Sequence, residues 1–291
     1  MISSNKTRPA PLPAEHVTAL ADRLNTHFAT VGQSVAAAAA ARQAGAQPLN
    51  PRPPRVCSAA YRVKPATLPE LSRALSGMSA SKACGDDGIT VSMLRDTFPV
   101  VGPHLLHVVN ASIVSGIVPL DWKLAFVSPL HKSGSKTDPN NYRPISILPT
   151  VAKLAERVVC DQLMGYLSDH SVLCEQQHGF RPGHSTETAM LDAVMYLSES
   201  LDKGLIASIS AIDTSKAFDS VEHGRLLEKL SWYGIDHHWF RDWLSGRRQR
   251  VRGGKDVLPL SHGVIQGSIL GPILFLLFTN DLSSHITGCK L

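Results

Sequence analysis

What most constrains the fold of this chain is the order of its hydrophobic periods. Stretches of helical and strand spacing follow one another with no regular strand–helix–strand alternation and no internal repeat, which argues against a doubly wound parallel sheet. A capping box at Thr67-x-x-Glu70, with Pro69 in the first turn, predicts a helix running to Met78. Helices are then expected over 90–98 and 103–115, with Pro119 as a stop. KLAFVSPLHK and RPISIL read as two strands joined by the polar loop SGSKTDPNNY, a hairpin. Residues 150–168 and 185–203 carry apolar side chains at i, i+3, i+4 and i+7, which predicts two amphipathic helices around the segment QQHGFRPGHS. LIASISAID then alternates like a half-buried strand ending at Asp213. Helices over 226–232 and 238–244, a hairpin turning at Gly253-Gly254 and a last helix over 268–282 complete the series.

Composition divides the chain in two. Residues 1–65 hold two Pro-rich patches, PAPLP and PLNPRPPR, around an alanine run at 36–41, and read as a flexible leader. Within it, Val17, Leu20, Leu24 and Phe28 fall at helical spacing, so a short docking helix is expected. The folded domain is expected from about residue 66 to 291. Hydrophobic residues make up 43% of the chain and charged residues 18%, enough apolar material for a sizeable core. The net charge of +5 leans towards polyanionic partners. Five cysteines, Cys57, Cys84, Cys160, Cys174 and Cys289, form no CxxC pair and lie at no metal-ligand spacing with histidine, so free buried thiols are expected. The N-terminus lacks the apolar core of a signal peptide. The most apolar run, 273–278, is six residues, against the roughly 20 that span a bilayer. The expectation is an intracellular protein, nuclear or cytoplasmic.

Four segments bear on chemistry. In SAIDTSKAFDSV a strand running out at Asp213 would hold a carboxylate at a sheet edge, where phosphoryl transfer needs metal ligands. The competing use of Asp213 is to cap the helix that follows. In HGVIQGSILGPILF, Gly263, Gly267 and Gly271 permit close backbone approach before an apolar helix, which suits a phosphate or base, or simply a hairpin closing into a helix. LHKSGSKTDPNNYRPISIL sets Lys132, Lys136 and Arg143 on one hairpin, fit for a triphosphate or for a solvated face. SGRRQRVRGGK clusters Arg247, Arg248, Arg250, Arg252 and Lys255, which suits a nucleic-acid backbone. The upstream Trp239 and Trp243, at i and i+4, read as core.

Together and in this order, KACGDDGIT, PLHKSGSKTDPNNYRPISIL, EQQHGFRPGHST, AIDTSKAFDSV and GVIQGSILGPILF resemble the reverse transcriptase domain of non-LTR retrotransposons of the LINE type, from about residue 68 to 291. The resemblance implies an α+β fold: the fingers and part of the palm of a right-hand polymerase, helices packed on a small, mainly antiparallel sheet. The implied function is RNA-directed DNA synthesis, with Mg²⁺ or Mn²⁺ as cofactor and an RNA template, a DNA primer and deoxynucleoside triphosphates as partners. It makes Asp213 the metal-binding carboxylate and lays Phe218 against the sugar of the incoming nucleotide. It further implies that Gln266 and Gly267 contact the nucleotide, Lys132 and Arg143 its triphosphate, and that Arg181 faces template or the fingers interior; Arg247, Arg248 and Arg250, from the basic cluster, are expected to contact nucleic acid. Asp219 is expected to hold the turn rather than a metal.

Two departures qualify the resemblance. Ile265 stands where the family has Pro or a small residue, and the family's paired aspartates, on a hairpin after this last block, are not among the 291 residues. The expectation is a domain cut before its thumb and inactive alone. Asp86-Asp87 precedes the Asp213 block and is flanked by helix signals, so no catalytic role is assigned to it. The rivals are a nucleic-acid-binding fragment, a decayed element copy, or a related polymerase such as an intron maturase.

Overall fold

A computed structural model of the chain describes residues 14–43, 60–80, 83–214, 216–286 and 288–289. Both Pro-rich patches and Cys57 lie outside these described residues. The hairpin forms as its sequence dictates: β1 (Leu124–His131) pairs antiparallel with β2 (Tyr142–Ile147), Phe126 opposite Ile147 and His131 opposite Tyr142. β3 (Arg248–Val251) then pairs parallel with β1 and antiparallel with β4 (Leu258–Pro259), giving a mixed sheet of order β2-β1-β3-β4. Two of its three pairings are antiparallel, in keeping with the expected α+β class.

Against one side of the sheet lies α1 (Ala14–Gln43), 30 residues long where a short helix was expected. Ala21, Leu24 and Phe28 pack on Val127, Tyr142 and Val251 to make a small core of their own. The alanine run continues the helix beyond those contacts because alanine costs least to hold helical, and residues 37–41 are exposed. The part of the leader covered by α1 is therefore docked structure. Buried Asn25 fastens it: its Nδ2 donates to the Asp256 carbonyl at 2.8 Å, and its Oδ1 accepts from Gln249 Nε2 at 3.2 Å. Asn25→Leu removes both partners and is expected to destabilise the fold by about 2 kcal/mol, read as a lower urea midpoint at unchanged slope. An unmoved midpoint would show that α1 is not seated there.

The main core is helical. α2 (Leu68–Ser76) has the Thr67–Glu70 capping box its sequence signals. α3 (Val91–Ser115) merges the two helices expected there, with Pro99 and Pro103 inside it. Both prolines are exposed and four apart, so the carbonyls that lose their amide partners face water on one stripe. By length and composition α3 is apolar enough to cross a membrane, although no uninterrupted run announced this; it packs Val91, Leu94, Val109 and Ile113 into the core. α4 (Thr150–Asp169) runs through the centre, where Leu154, Val158 and Leu163 meet Leu226 and Leu230 of α6 (His223–Trp232), Phe240 and Trp243 of α7 (His238–Leu244), and Leu274 of α8 (Leu270–Thr279). A short α9 (Leu282–His285) follows. Tyr61 and Val63 join this core, and the Tyr61 backbone bonds Gly234 and Asp236 at 2.8 Å, so folded structure reaches back past residue 66. Of the cysteines described, all free, only Cys160 is buried; burial pushes its thiol up to about 11.

α5 (Thr186–Asp202) is the exception, since it buries none of its residues. Met190, Leu191, Val194 and Met195 face solvent, as do Leu205, Ile206, Ile209 and Ile212 beyond it.

Candidate functional site

The site is built on the turn between β4 and α8. Val264 N donates to the Phe218 carbonyl at 2.9 Å and Gly263 N to the Val221 carbonyl at 2.8 Å, which ties the turn to the segment after Asp213. His223 Nε2 also bonds the Gly263 carbonyl, at 2.8 Å. From the other side, Ser146 N of β2 donates to the Gln266 carbonyl at 2.8 Å. Gly267 then takes φ +120°, open to glycine alone, where an added Cβ would clash with the Ser146 carbonyl oxygen. Ser268 Oγ closes the turn by accepting from Gly271 N at 2.8 Å.

Half-buried Gln266 thus faces a narrow cleft lined by Pro144 and Ser146 of β2, Asp219, His262 and Gly263, and walled by Phe28, Ala29 and Gly32 of α1. Gly32 touches the Asp219 carbonyl so closely that a side chain has no room. Burial raises the Asp219 carboxyl above its usual range, with Lys216 and Lys132 opposing. Burial also lowers the Lys216 ammonium. The cleft thus joins β2 of the hairpin, the Asp213 block at Asp219 and the Gly-rich block at Gln266, and the charges of Lys216 and Lys132 act on Asp219 from nearby. Arg143, opposite Leu130 on the hairpin, points into solvent.

Several expected residues sit otherwise. Residues 205–214 form no strand, and Asp213 is exposed there with no hydrogen bond or ion pair to the described residues; the alternating pattern is real, but no described strand lies beside it to accept its backbone bonds. Asp213 therefore does not share the Gln266 cleft. Phe218 stacks on Phe275, centroids 4.9 Å apart, and meets Phe180 edge-on at 6.0 Å, so one of its faces is taken by protein where a sugar was expected. Arg181 turns back on its own loop, donating to the Cys174 carbonyl at 2.9 Å. In the arginine cluster Arg248 is exposed, while Arg250 pairs with Asp86 at 3.2 Å and lies over the Phe126 ring. Asp87 accepts from Ile89 N at 3.1 Å, so of the two aspartates of CGDDG one holds its own turn and the other pairs with β3.

Arg247 is the clearest correction. It is 2% exposed and cannot reach nucleic acid. Its Nε donates to the Trp243 carbonyl at 2.6 Å and its guanidinium lies 3.9 Å from the Trp243 ring, facing Glu156 of α4 at 3.9 Å. Glu156, equally buried, accepts from Trp243 Nε1 at 2.9 Å and from Ile269 N at 2.8 Å. Burial pushes the Glu156 carboxyl up and the Arg247 guanidinium down to about 10, each opposed by the other's charge. Sequence reasoning passed over Glu156, Lys216 and Asn25. For Glu156 a signal existed: it falls on the stripe Ala152, Val159 and Leu163, a charge where α4 meets the core.

Among the described residues no group of three or more His, Cys, Asp or Glu side chains is placed to hold a metal ion. Asp213 alone does not make a centre for two divalent ions, which stand about 3.5–4 Å apart between shared ligands.

Residues 130–291 match the family model described as reverse transcriptase (RNA-dependent DNA polymerase). The chain is 31% identical over 231 residues to a probable RNA-directed DNA polymerase from transposon BS of Drosophila melanogaster, covering 76% of this chain and 25% of that protein. It is 29% identical over 225 residues to the RNA-directed DNA polymerase from mobile element jockey of the same species, covering 75% of this chain and 25% of that protein. A retrovirus-related Pol polyprotein from the type-1 retrotransposable element R2 of Popillia japonica is 27% identical over 225 residues, 74% of this chain and 30% of its own length. The chain spans about a quarter of the length of the first two relatives. Because the family model covers more than half of the chain and takes in β2, the Asp213 block and the Gln266 turn, the chain belongs to the reverse transcriptase (RNA-dependent DNA polymerase) family, in its non-LTR retrotransposon branch.

Proposed function

We propose that this chain supplies the fingers and part of the palm of an RNA-directed DNA polymerase that extends a DNA 3′ end along an RNA template with deoxynucleoside triphosphates and Mg²⁺ or Mn²⁺. The observation that carries this is the family match over the segments that converge on the Gln266 cleft. Gln266 would meet the nucleotide, Lys132 and Lys216 its phosphates, and Asp213 would be one of the metal carboxylates. Arg248 and Arg250 are the candidates for the nucleic-acid backbone, and the protein would act in the nucleus or cytoplasm.

Asp213 stands alone on a segment that forms no strand, which favours a second reading for the chain by itself: it binds template and primer without catalysis. One experiment separates the two, with labelled nucleotide incorporation and filter binding measured on the same RNA–DNA substrate. This chain alone is expected to bind with a steep salt dependence and to incorporate little. Completed with the paired-aspartate region of a relative, it is expected to incorporate, and Asp213→Ala to reduce that by about 10²–10³-fold with binding unchanged. A completed enzyme indifferent to Asp213→Ala refutes the catalytic assignment, and no affinity at any salt refutes both readings.

A further inference from the structure

We propose that Glu156 is a positioning residue: from inside α4, its carboxylate holds the 265–271 turn in the conformation that presents Gln266 to the cleft. The inference deepens the nucleotide-binding reading of that cleft and rests on it for its consequence.

A buried carboxylate has to be explained by what it touches, because stripping it of water is costly unless every lone pair direction finds a donor or a charge. Glu156 divides its two oxygens. Oε1 accepts from Trp243 Nε1 and faces the Arg247 guanidinium, which binds it to α7 and the start of β3. Oε2 accepts from Ile269 N, the residue just before α8. An amide at the start of a helix lacks an internal partner, and neither the Ile269 side chain nor any side-chain cap supplies one. A remote glutamate therefore caps α8, with its negative charge at the positive end of the helix.

Ile269 is three residues from Gln266, and the intervening turn has little else to fix it from below. Gly267 has no side chain and Ser268 bonds only within the turn, to the Ile265 carbonyl and Gly271 N. The Ser146–Gln266 bond anchors the turn at its outer end. Glu156 anchors the inner end. With both ends held, the direction of Gln266 is set; with the inner one released, the turn pivots on Ser146.

The chemistry of the carboxylate makes the idea testable by an isosteric change. Each oxygen of Glu156 accepts from a donor, whereas glutamine has one acceptor and places an NH₂ against the other donor. Glu156→Gln must therefore lose either Trp243 or Ile269. Because it also leaves Arg247 without a counter-charge, the companion variant is Glu156→Gln with Arg247→Met, which removes both charges and retains the single-acceptor conflict.

Both variants and wild type are to be compared by amide hydrogen exchange and by equilibrium dialysis with Mg²⁺ and dTTP, with Gln266→Ala as reference. Exchange over 263–271 is expected to rise at least about tenfold while α2 is unchanged, as for local release without global unfolding, and dTTP affinity is expected to fall about as far as in Gln266→Ala. Unchanged exchange over 263–271 in the double variant overturns the proposal, as does wild-type dTTP affinity in a chain where Gln266→Ala has lost it. If exchange rises but wild type itself binds no dTTP, the hold of Glu156 on the turn is upheld and the nucleotide-binding reading of the cleft fails instead.

Discussion

Gly267→Ala is expected to lower the thermal midpoint by about 5–10 °C and to abolish nucleotide binding at the Gln266 cleft. Two costs combine. At φ +120° a side chain strains the backbone by about 1–3 kcal/mol, and the added carbon would sit inside the Ser146 carbonyl, which is strand backbone and has no free end to swing away. The least costly escape is to break the 2.8 Å bond from Ser146 N to the Gln266 carbonyl, moving the one side chain the turn exists to present. In a chain of this size each kcal/mol lost is worth about 2–4 °C. Gly165→Ala is the control: that glycine lies inside α4 with open space around it, so alanine there should stabilise by about 0.5–1 kcal/mol. Scanning calorimetry reads both. If Gly267→Ala melts with wild type, the turn does not have the conformation described.

The residues explain which parts of this molecule were legible in its sequence. Elements defined by local chemistry came through: the Thr67–Glu70 capping box, the β1–β2 hairpin, α4, α7 and the turn at Gly253–Gly254 all depend on neighbours within a few positions. α3 was read as two helices because proline is a local stop, and the exposure that lets Pro99 and Pro103 sit inside a helix is a tertiary fact. The 205–213 segment failed for the opposite reason. Its pattern states what it would bury, yet a strand exists only beside another strand, and the alternation of Ile209 with Ser208 and Ser210 does not say who that neighbour is. The apolar face of α5, at Met190, Leu191 and Val194, is likewise uncovered among the described residues. In the candidate site the glycines and Gln266 were legible as a motif. The role of Arg247 was not, because five cations close together suggest one polyanion until alternation along β3 turns neighbours to opposite faces: Arg248 outward and Gln249 buried.

Arg247→Met should destabilise the protein by about 3–5 kcal/mol near pH 8, since it leaves the Glu156 carboxylate buried without its counter-charge, and acidification should relieve much of that loss. Methionine fills similar space against the Trp243 ring, so the effect is one of charge more than of packing. Burial already holds the Glu156 carboxyl above its ordinary 4.5, and the Arg247 charge is the strongest influence pulling it down; without the guanidinium it rises further. Between 4.5 and that raised value the folded chain keeps a proton that the unfolded chain has released, so stability falls as pH rises through the window and is recovered below it. His223, whose imidazole burial pushes below 6.5, has the opposite sign, losing stability as pH falls. Arg247 is one of the lesser charges holding that imidazole down, so removing the guanidinium weakens this loss and works in the same direction as the change at Glu156. The measurement is the difference in urea-unfolding free energy between wild type and Arg247→Met at pH 5 and at pH 8. Adding Glu156→Gln should flatten that difference with pH, because the titrating group is gone. A loss equal at both pH values would mean that Arg247 stabilises by packing alone and that Glu156 is already neutral in the native protein.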